Sequence, residues 1–129
     1  MYCSDIKAFL VYDGTRYVKD TDNKVEWLMK DTLKSWMLAA NDDMDEDRRK
    51  RTIQHILKSE NQNRIKAAVD SLKSEPGMAM SLDQFDQDPW KFNVANGTID
   101  LQTGILEPHN PADLLMKKTP VTYDPSANC

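Results

Sequence analysis

Glycine is scarce in this sequence, and its placement excludes one large class of sites. The chain has 129 residues and four glycines, Gly14, Gly77, Gly97 and Gly104. None is followed by Lys-Ser or Lys-Thr. A loop that cradles phosphates needs closely placed glycines and a lysine, because backbone N–H groups must approach the phosphates. We therefore expect no cofactor in this chain and no ATP hydrolysis by it alone.

Cysteine, long apolar runs and an excess of positive charge are also missing. Cys3 and Cys129 stand near opposite ends without metal-ligand spacing, which fits a reducing cytosol, so a cytoplasmic location is expected. No apolar run approaches the roughly 20 residues that span a bilayer, and we expect no membrane partner. Lys and Arg number 17 against 21 Asp and Glu, giving a net charge of −4. Only a local basic patch is therefore expected to contact nucleic acid.

Catalytic and metal-binding patterns are weak. Neither His55 nor His109 has a Ser or Cys nearby in sequence that would form an activated pair. The candidate metal ligands are Asp86, Asp88 and Asp100. Their spacing suits the capping of turns better, because Asp side chains satisfy local backbone N–H groups. The acidic run at residues 41–47 lacks the Gly and the closing Glu of a calcium loop. We predict a non-catalytic chain without a metal site.

The first 75 residues predict a hairpin followed by helices. Asp13-Gly14 lies between β-rich runs, which is typical of a tight hairpin over residues 8–18. Apolar residues at helical spacing predict a helix over residues 23–40, with Asn23 and Glu26 resembling a capping box. Two more helices are expected between residue 48 and residue 72. They form either a helix-turn-helix or an αα-hairpin.

The last third predicts a small β-meander. Val94 leads through Ala95-Asn96-Gly97 into a second strand, and a turn ending at Gly104 leads into a third. Asn-Gly is expected to supply the positive φ of a tight two-residue turn. The fold class is therefore α+β. We predict a single domain over residues 1–129, with a hairpin at 1–20, a helical part at 21–75, and the meander and tail at 76–129.

A set of short motifs also occurs in one order. The motifs are Phe85-Asp86, Pro89-Trp90, Asn93-Val94, Asn96-Gly97-Thr98-Ile99-Asp100-Leu101, Thr103-Gly104, Pro108-His109 and Val121-Thr122-Tyr123-Asp124-Pro125. This order resembles the region just before the superfamily 3 helicase domain in phage- and plasmid-encoded primase-helicases, a family that includes the poxvirus primase-helicase. The run at residues 11–20 looks like the family's upstream hairpin. The resemblance is dense over residues 85–129 and weak over residues 42–76.

The resemblance implies an accessory domain in DNA replication, placed before the helicase motor of a longer chain. It implies DNA, single-stranded or forked, and identical subunits of a ring as partners. The parent protein would be an ATP-dependent DNA helicase and primase, with ATP and Mg²⁺ bound only by the downstream motor. The chain is expected to be a fragment of such a protein, since it stops soon after a strand-like run.

Two basic groups are the candidate nucleic-acid-binding residues, because Lys and Arg neutralise phosphates. The first group is Arg48, Arg49, Lys50, Arg51, Lys58 and Arg64. The second is Lys117 and Lys118, beside Trp90 and Phe92, a cationic and aromatic combination suited to single strands. The alternatives are a stand-alone DNA-binding or regulatory protein using residues 48–66, and an adaptor whose acidic loop and basic helix meet on identical subunits. For both basic groups, solvent-exposed charge without a ligand is the simpler interpretation.

Overall fold

The computed structural model describes residues 1–127 and divides the chain into two compact units. The strand unit comprises Met1–Lys19 and Met80–Cys129, and the helical unit comprises Asp20–Ala79. Strands come first, three helices follow, and antiparallel strands end the order of elements. The predicted α+β class is confirmed.

The strand unit begins with the predicted hairpin. Strand β1 (Tyr2–Cys3) pairs antiparallel with β2 (Ala8–Tyr12), which pairs antiparallel with β3 (Tyr17–Lys19). A short strand, β4 (Ala79–Met80), completes a sheet in the order β3-β2-β1-β4. Pairing with neighbouring strands supplies the support that an isolated hairpin lacks in water.

The β2–β3 turn is built on Asp13 and Gly14. The Asp13 carboxylate accepts hydrogen bonds from the backbone N–H groups of Thr15 (2.8 Å) and Arg16 (3.0 Å). Partial burial raises the pKa of Asp13, but these hydrogen bonds and the charge of Lys118 outweigh it and lower the pKa to about 2. Gly14 has φ +100°, which costs glycine little because it has no Cβ.

The second sheet is the predicted meander. Strands β5 (Lys91–Val94), β6 (Gly97–Asp100) and β7 (Ile105–Glu107) pair antiparallel in that order. Val94 pairs with Gly97, so Ala95 and Asn96 are the two loop residues. The loop before β7 contains Gly104 at φ +71°.

The positive φ expected at the Asn96-Gly97 turn is wrong. Neither residue has a positive φ, and Gly97 is a buried residue of β6. Glycine is needed there for space. A Cβ on Gly97 would collide with the carbonyl oxygen of Glu107 and lie 2.8 Å from Leu106 Cδ1. Close approach of the neighbouring strand, rather than turn geometry, explains this glycine.

The core of the strand unit is small. Its buried members are Cys3, Leu10, Tyr17 and Phe85. The rings of Tyr17 and Phe85 meet edge to face with centroids 5.4 Å apart, a favoured aromatic arrangement. Cys3 is fully buried and carries a free thiol. Cys129 lies outside the described residues, so its predicted unpaired state stays a prediction.

The helical unit contains three helices, as predicted. They are α1 (Lys24–Asn41), α2 (Glu46–Ser59) and α3 (Gln62–Leu72). Helix α1 packs against both α2 and α3, which contact each other far less. Within residues 1–127, no helix combines the length and the apolar character needed to cross a membrane.

The start of α1 differs from the predicted capping box. Asn23 lies in the left-handed region at φ 55°, and its side chain makes no capping hydrogen bond. Asp20 takes this role, because its two carboxylate oxygens accept from the backbone N–H groups of Lys24 (2.8 Å) and Val25 (2.9 Å). Glu26 instead pairs with Lys30 on the next turn at 2.9 Å. The left-handed residue turns the chain so that an aspartate outside the helix reaches its first N–H groups.

A second apolar cluster holds the helices together. Its buried members are Leu33, Ala40, Ile56 and Ile65, with Met29, Met37, Ile53 and Val69 packed against them. The predicted apolar face of α1 is only partly covered, since Leu28 and Trp36 remain 45% and 46% exposed. Both helices that pack on α1 are shorter than α1 itself, and together they leave part of its apolar face open.

Candidate nucleic-acid interface

Acidic residues organise the beginning of the basic helix α2. The Asp45 side chain caps the helix by accepting from the Arg48 backbone N–H at 2.9 Å. The Asp43 carboxylate accepts hydrogen bonds from Nε and Nη2 of Arg48 at 2.5 and 2.7 Å. Hydrogen bonds from the Arg48 side chain and the Asp45 backbone lower the pKa of Asp43 to about 2. The acidic loop therefore supports the N-terminus of α2, where negative charge is favourable.

Most of the basic run at residues 48–51 is already occupied by partners within the helical unit. Besides the Arg48 pair, Lys50 forms an ion pair with Glu46 at 2.7 Å, and Arg49 donates to the Asp43 carbonyl oxygen at 3.4 Å. Arg51 is exposed, and its side chain has no hydrogen bond or ion pair in the described part of the chain. The structure thus separates the four predicted residues into three that are engaged and one that is open.

Two further predicted cations are open in the same way. Lys58 and Arg64 are exposed, and among residues 1–127 neither side chain has a hydrogen bond or ion pair. They line a shallow groove at the α2–α3 turn together with Leu57, Glu60 and Asn61. Arg51 and Lys58 are seven residues apart on α2, so they share one face at a rise of about 10 Å. We call Arg51, Lys58 and Arg64 the free-cation surface.

The packing of α2 and α3 bears on the helix-turn-helix alternative. An αα-hairpin packs its two helices side by side, whereas here each packs mainly on α1. The turn between them is short, with Asn61 capping α3 by accepting from the Asn63 N–H at 2.9 Å. Gln62 at the start of α3 donates to Glu26 of α1 at 2.8 Å, so part of its outer face is engaged. Reading of a DNA groove by α3 stays a prediction.

In the strand unit, the second basic group lies on a segment that Asp86 holds in place. Asp86 has φ +53°, and its backbone N–H donates to the Leu114 carbonyl oxygen at 3.0 Å. Its Oδ1 accepts from the backbone N–H groups of Met116 (3.0 Å) and Lys117 (3.3 Å). The lysine segment, residues 114–119, is therefore fixed at its start by one carboxylate about thirty positions earlier.

Asn93 of β5 fixes the same segment from another side. This residue is only 5% exposed, and its Nδ2 donates to the carbonyl oxygens of Thr15 (2.9 Å) and Lys117 (3.1 Å). Its backbone carbonyl accepts from the Thr119 N–H at 2.9 Å, and the Ala95 N–H donates to the Val121 carbonyl at 2.9 Å. Because these bonds ascend along both segments, the tail runs parallel to β5 and covers its open edge.

The lysine segment and β5 enclose a pocket of about 310 Å³. The residues that line it are Asp86, Asp88, Pro89, Lys91, Phe92, Asn93, Leu115, Lys117, Lys118 and Thr119. Lys117, Lys118 and Phe92 are therefore brought together, as the sequence pattern suggested. Trp90, which the same pattern grouped with them, is not among the lining residues.

The three lysines of this pocket differ in how free they are. Lys91 Nζ donates to the Glu107 carboxylate at 2.6 Å, and this hydrogen bond raises the pKa of Lys91. Lys118 is half-buried and donates to Thr15 Oγ1 at 3.2 Å. Lys117 is exposed, and its ammonium has no partner in the described part of the chain. Lys117 is thus the lysine most available to an anion.

The residues that were considered for catalysis or metal binding have other contacts. The Asp88 carboxylate accepts from the Trp90 N–H at 2.9 Å, and Asp100 accepts from the Gln102 N–H at 2.9 Å. His55 packs its ring against Trp36 with centroids 5.7 Å apart. Among residues 1–127 no group of three or more His, Cys, Asp or Glu side chains is placed to hold a metal ion.

Comparison with known proteins places the chain in a family. The family described as "D5 N terminal like" matches residues 1–129, the full length of the sequence. The chain belongs to this D5 N-terminal-like family. The family comprises the N-terminal domain of D5-like primase-helicase proteins, so the resemblance to primase-helicases is confirmed. No curated protein and no solved structure matches significantly.

Several residues of the motifs at residues 85–125 act as connectors in the strand unit. Asp86 and Asn93 hold the lysine segment through the bonds described above. Asn96 holds the tail further on, since its side chain donates to the Tyr123 carbonyl at 3.0 Å and accepts from the Tyr123 N–H at 2.9 Å. Three polar residues of the motif set thus join distant stretches of backbone.

Sequence reasoning treated Asp86 as a turn-capping residue and gave Asn93 no role. For Asn93 the local pattern gave no signal, because a polar residue next to Val94 in a strand is ordinarily expected on the exposed face. For Asp86 no local signal distinguishes a carboxylate that caps its own turn from one that binds a segment thirty residues later.

Proposed function

We propose that this domain precedes the helicase motor of a phage- or plasmid-encoded superfamily 3 primase-helicase and engages DNA during replication. The full-length match to the D5 N-terminal-like family is the observation that carries the proposal. In the proposed primase-helicase, the downstream motor binds ATP and Mg²⁺, and this domain contributes contacts to DNA. Its site of action is the cytoplasm, on single-stranded or forked DNA.

The free-cation surface supports the DNA-engaging part of the proposal. Arg51, Lys58 and Arg64 are exposed and have no internal partner, whereas the neighbouring Arg48 and Lys50 are paired with carboxylates. A cation that is already paired gains less from a phosphate, because the phosphate must compete with the carboxylate. The open cations are therefore those expected to contact the backbone, and such contacts give affinity without reading sequence.

Ring assembly is a second candidate function, and exposed apolar residues of α1 favour it. Trp27 and Leu38 are 57% and 69% exposed. They are eleven residues apart, about three helical turns, so they lie on one face of α1. Asp31 and Lys34 lie between them on that face, so the contact surface proposed here is part apolar and part charged, and identical subunits are the partners that a ring requires. The two functions are compatible, since they use different residues of the helical unit.

The alternative of a stand-alone DNA-binding or regulatory protein rests on the same helices. It predicts DNA binding through residues 48–66 without a motor. The family match favours the primase-helicase context instead, because the whole chain, including the strand unit, matches the family. Reading the gene beyond residue 129 separates the two, since only the primase-helicase proposal requires a strand, a Gly-rich loop and Lys-Ser or Lys-Thr downstream.

The DNA-engaging function is tested by fluorescence anisotropy with a labelled oligothymidine over a series of salt concentrations. The variant is Arg51→Gln/Lys58→Gln, which removes two open cations from one face of α2. The control is Lys24→Gln/Lys34→Gln, which removes two exposed cations from α1 and changes net charge equally. The plot of log K against log salt has a negative slope. We expect this slope to become shallower by about 1.4 in the variant, since each lost phosphate contact removes about 0.7.

The control variant is expected to keep the wild-type slope. Equal changes in the two variants would mean that only net charge matters and that the free-cation surface is not a binding site. Wild-type protein that binds no oligothymidine even at low salt would overturn the DNA-engaging function and leave ring assembly as the proposed role.

A further inference from the structure

The pocket between β5 and the lysine segment belongs to the strand unit, and the free-cation surface has no part in it. We propose that this pocket takes one nucleotide of single-stranded DNA, with its base on the ring of Phe92 and a phosphate beside Lys117. The inference rests on the proposed engagement of DNA and names a second, base-dependent contact for it.

The pocket is a built site, because its walls are fixed by buried and directed contacts. Asp86 and Asn93 hold the lysine segment through its backbone, and Asn93 is itself 5% exposed. Leu115, at the inner wall, is 7% exposed, and its carbonyl oxygen accepts from the Tyr17 N–H at 2.8 Å. Its volume of about 310 Å³ lies at the lower end of small-ligand pockets, which run from about 300 to 1,000 Å³. This volume suits a single nucleotide rather than several.

The chemistry of the lining has an aromatic part and a cationic part. Phe92 lies on a strand yet is 44% exposed, so its ring is available to a ligand instead of being used by the core. Stacking on an aromatic ring is the contact that single-strand-binding proteins use for bases of any sequence. Lys117 supplies an ammonium without an internal partner, and Lys118 supplies a second one held near Thr15.

The acidic residues in the lining restrict what the ligand can be. Three lysines and two aspartates give the lining a formal charge of only +1. Asp86 and Asp88 each use one carboxylate oxygen to accept from backbone N–H groups, and the remaining oxygens repel anions on their side of the pocket. A ligand made of phosphate alone is therefore disfavoured. A nucleotide fits better, because its phosphate takes the lysine side and its uncharged base takes the other.

The experiment uses the whole chain and an oligothymidine that carries one 2-aminopurine, whose fluorescence changes when its base stacks on an aromatic ring. The first variant is Phe92→Leu, which keeps an apolar side chain but removes the aromatic face. Its control is Trp90→Leu, since Trp90 is 50% exposed but does not line the pocket. We expect Phe92→Leu to abolish the fluorescence change and to weaken binding by at least about fivefold. Trp90→Leu is expected to bind as the wild type does.

A second pair of variants tests the phosphate side. Lys117→Gln is expected to lower the salt slope by about 0.7, one phosphate contact on a single strand. Lys19→Gln removes an exposed lysine from β3 of the same unit and is expected to leave the slope unchanged. A third measurement needs no variant. An oligomer of abasic sites is expected to bind the wild-type chain at least about fivefold more weakly than oligothymidine of equal length.

The outcomes separate the pocket from the general DNA-engaging function. If Arg51→Gln/Lys58→Gln lowers the salt slope while abasic and normal oligomers bind equally, the pocket is overturned and DNA engagement stands. If abasic sites and Phe92→Leu both weaken binding, the pocket is supported whatever the α2 variant does. If no oligonucleotide binds the wild-type chain, both proposals fail together.

Discussion

The two units of this domain hold their shape by different means. In the strand unit, side chains of Asp86, Asn93 and Asn96 form hydrogen bonds to backbone that is 24 to 78 positions away. Within residues 20–79, all of which the structure describes, one hydrogen bond between side chains links distant positions of the helical unit, from Gln62 to Glu26, and the helices otherwise meet through apolar packing around Ile56.

The difference explains where the family motifs fall. A directed hydrogen bond requires one side chain of fixed length and polarity, so the strand unit needs particular residues at particular positions. Apolar packing accepts many combinations of side chains if volume and pattern are kept. A sequence pattern is therefore expected to be dense over the strand unit and sparse over the helices, and this is how the resemblance is distributed.

The largest expected effect comes from a substitution in the apolar cluster of the helical unit. Ile56 is fully buried at the centre of the helical cluster, and Ile56→Ala is expected to cost about 2–5 kcal/mol. The neighbouring Leu57 is 56% exposed, so Leu57→Ala is the matched control and should stay within about 0.5 kcal/mol of the wild type. Urea denaturation gives the free energies, and hydrogen exchange locates the loss.

The exchange measurement decides whether the two units depend on this packing differently. We expect amides of α1, α2 and α3 in Ile56→Ala to lose protection more than those of β5 and β6, because stability is lost first where the packing is removed. Equal loss in all elements would show that the chain unfolds as one block, and the contrast between the units would not hold energetically.

A second prediction concerns the long-range hydrogen bonds of the strand unit. Asn93→Ala removes the donor to the carbonyl oxygens of Thr15 and Lys117 and is expected to cost about 2–3 kcal/mol, since buried groups left without partners carry their full desolvation penalty. Asn96→Ala also removes two hydrogen bonds, but at an exposed site that water reaches, so about 1 kcal/mol or less is expected. Urea midpoints at constant m-value measure both, and an Asn96→Ala loss as large as that of Asn93→Ala would contradict the role of burial.

Local patterns predicted much of this fold. Apolar spacing gave α1 within a residue of its observed bounds, and Asp13-Gly14 gave the first hairpin, because both signals arise from neighbours in sequence. Long-range effects were missed for the same reason. The need for glycine at position 97 comes from the backbone of Glu107 on the neighbouring strand. The cap of α1 was missed for a different reason, since it is local but depends on Asn23 adopting the left-handed region so that Asp20 reaches the helix.

For the candidate interface too, features visible in the local sequence were predicted and features that depend on the fold were not. Composition located the basic residues of both groups, since charge is visible in sequence. It did not show that Arg48 and Lys50 are paired while Arg51 is open, because pairing depends on which carboxylate the helix brings within reach. Nor did it separate Phe92, which lines the pocket, from Trp90, which does not.

The smallest expected effect concerns the Asp43–Arg48 ion pair. This pair belongs neither to the apolar cluster of the helices nor to the long-range hydrogen bonds of the strand unit. The pKa of Asp43 is lowered from 3.8 to about 2, so its ionised form stabilises the folded chain above about pH 4 and this contribution is lost as the pH falls towards 2. Asp43→Asn lacks the contribution at every pH, and we expect a small gap in melting temperature at pH 6 that closes between pH 4 and pH 2. Asp31→Asn, which removes an exposed carboxylate from α1, controls for the change in net charge. A gap that persists undiminished at pH 2 would mean that Asp43 acts through the shape of the loop and not through its charge.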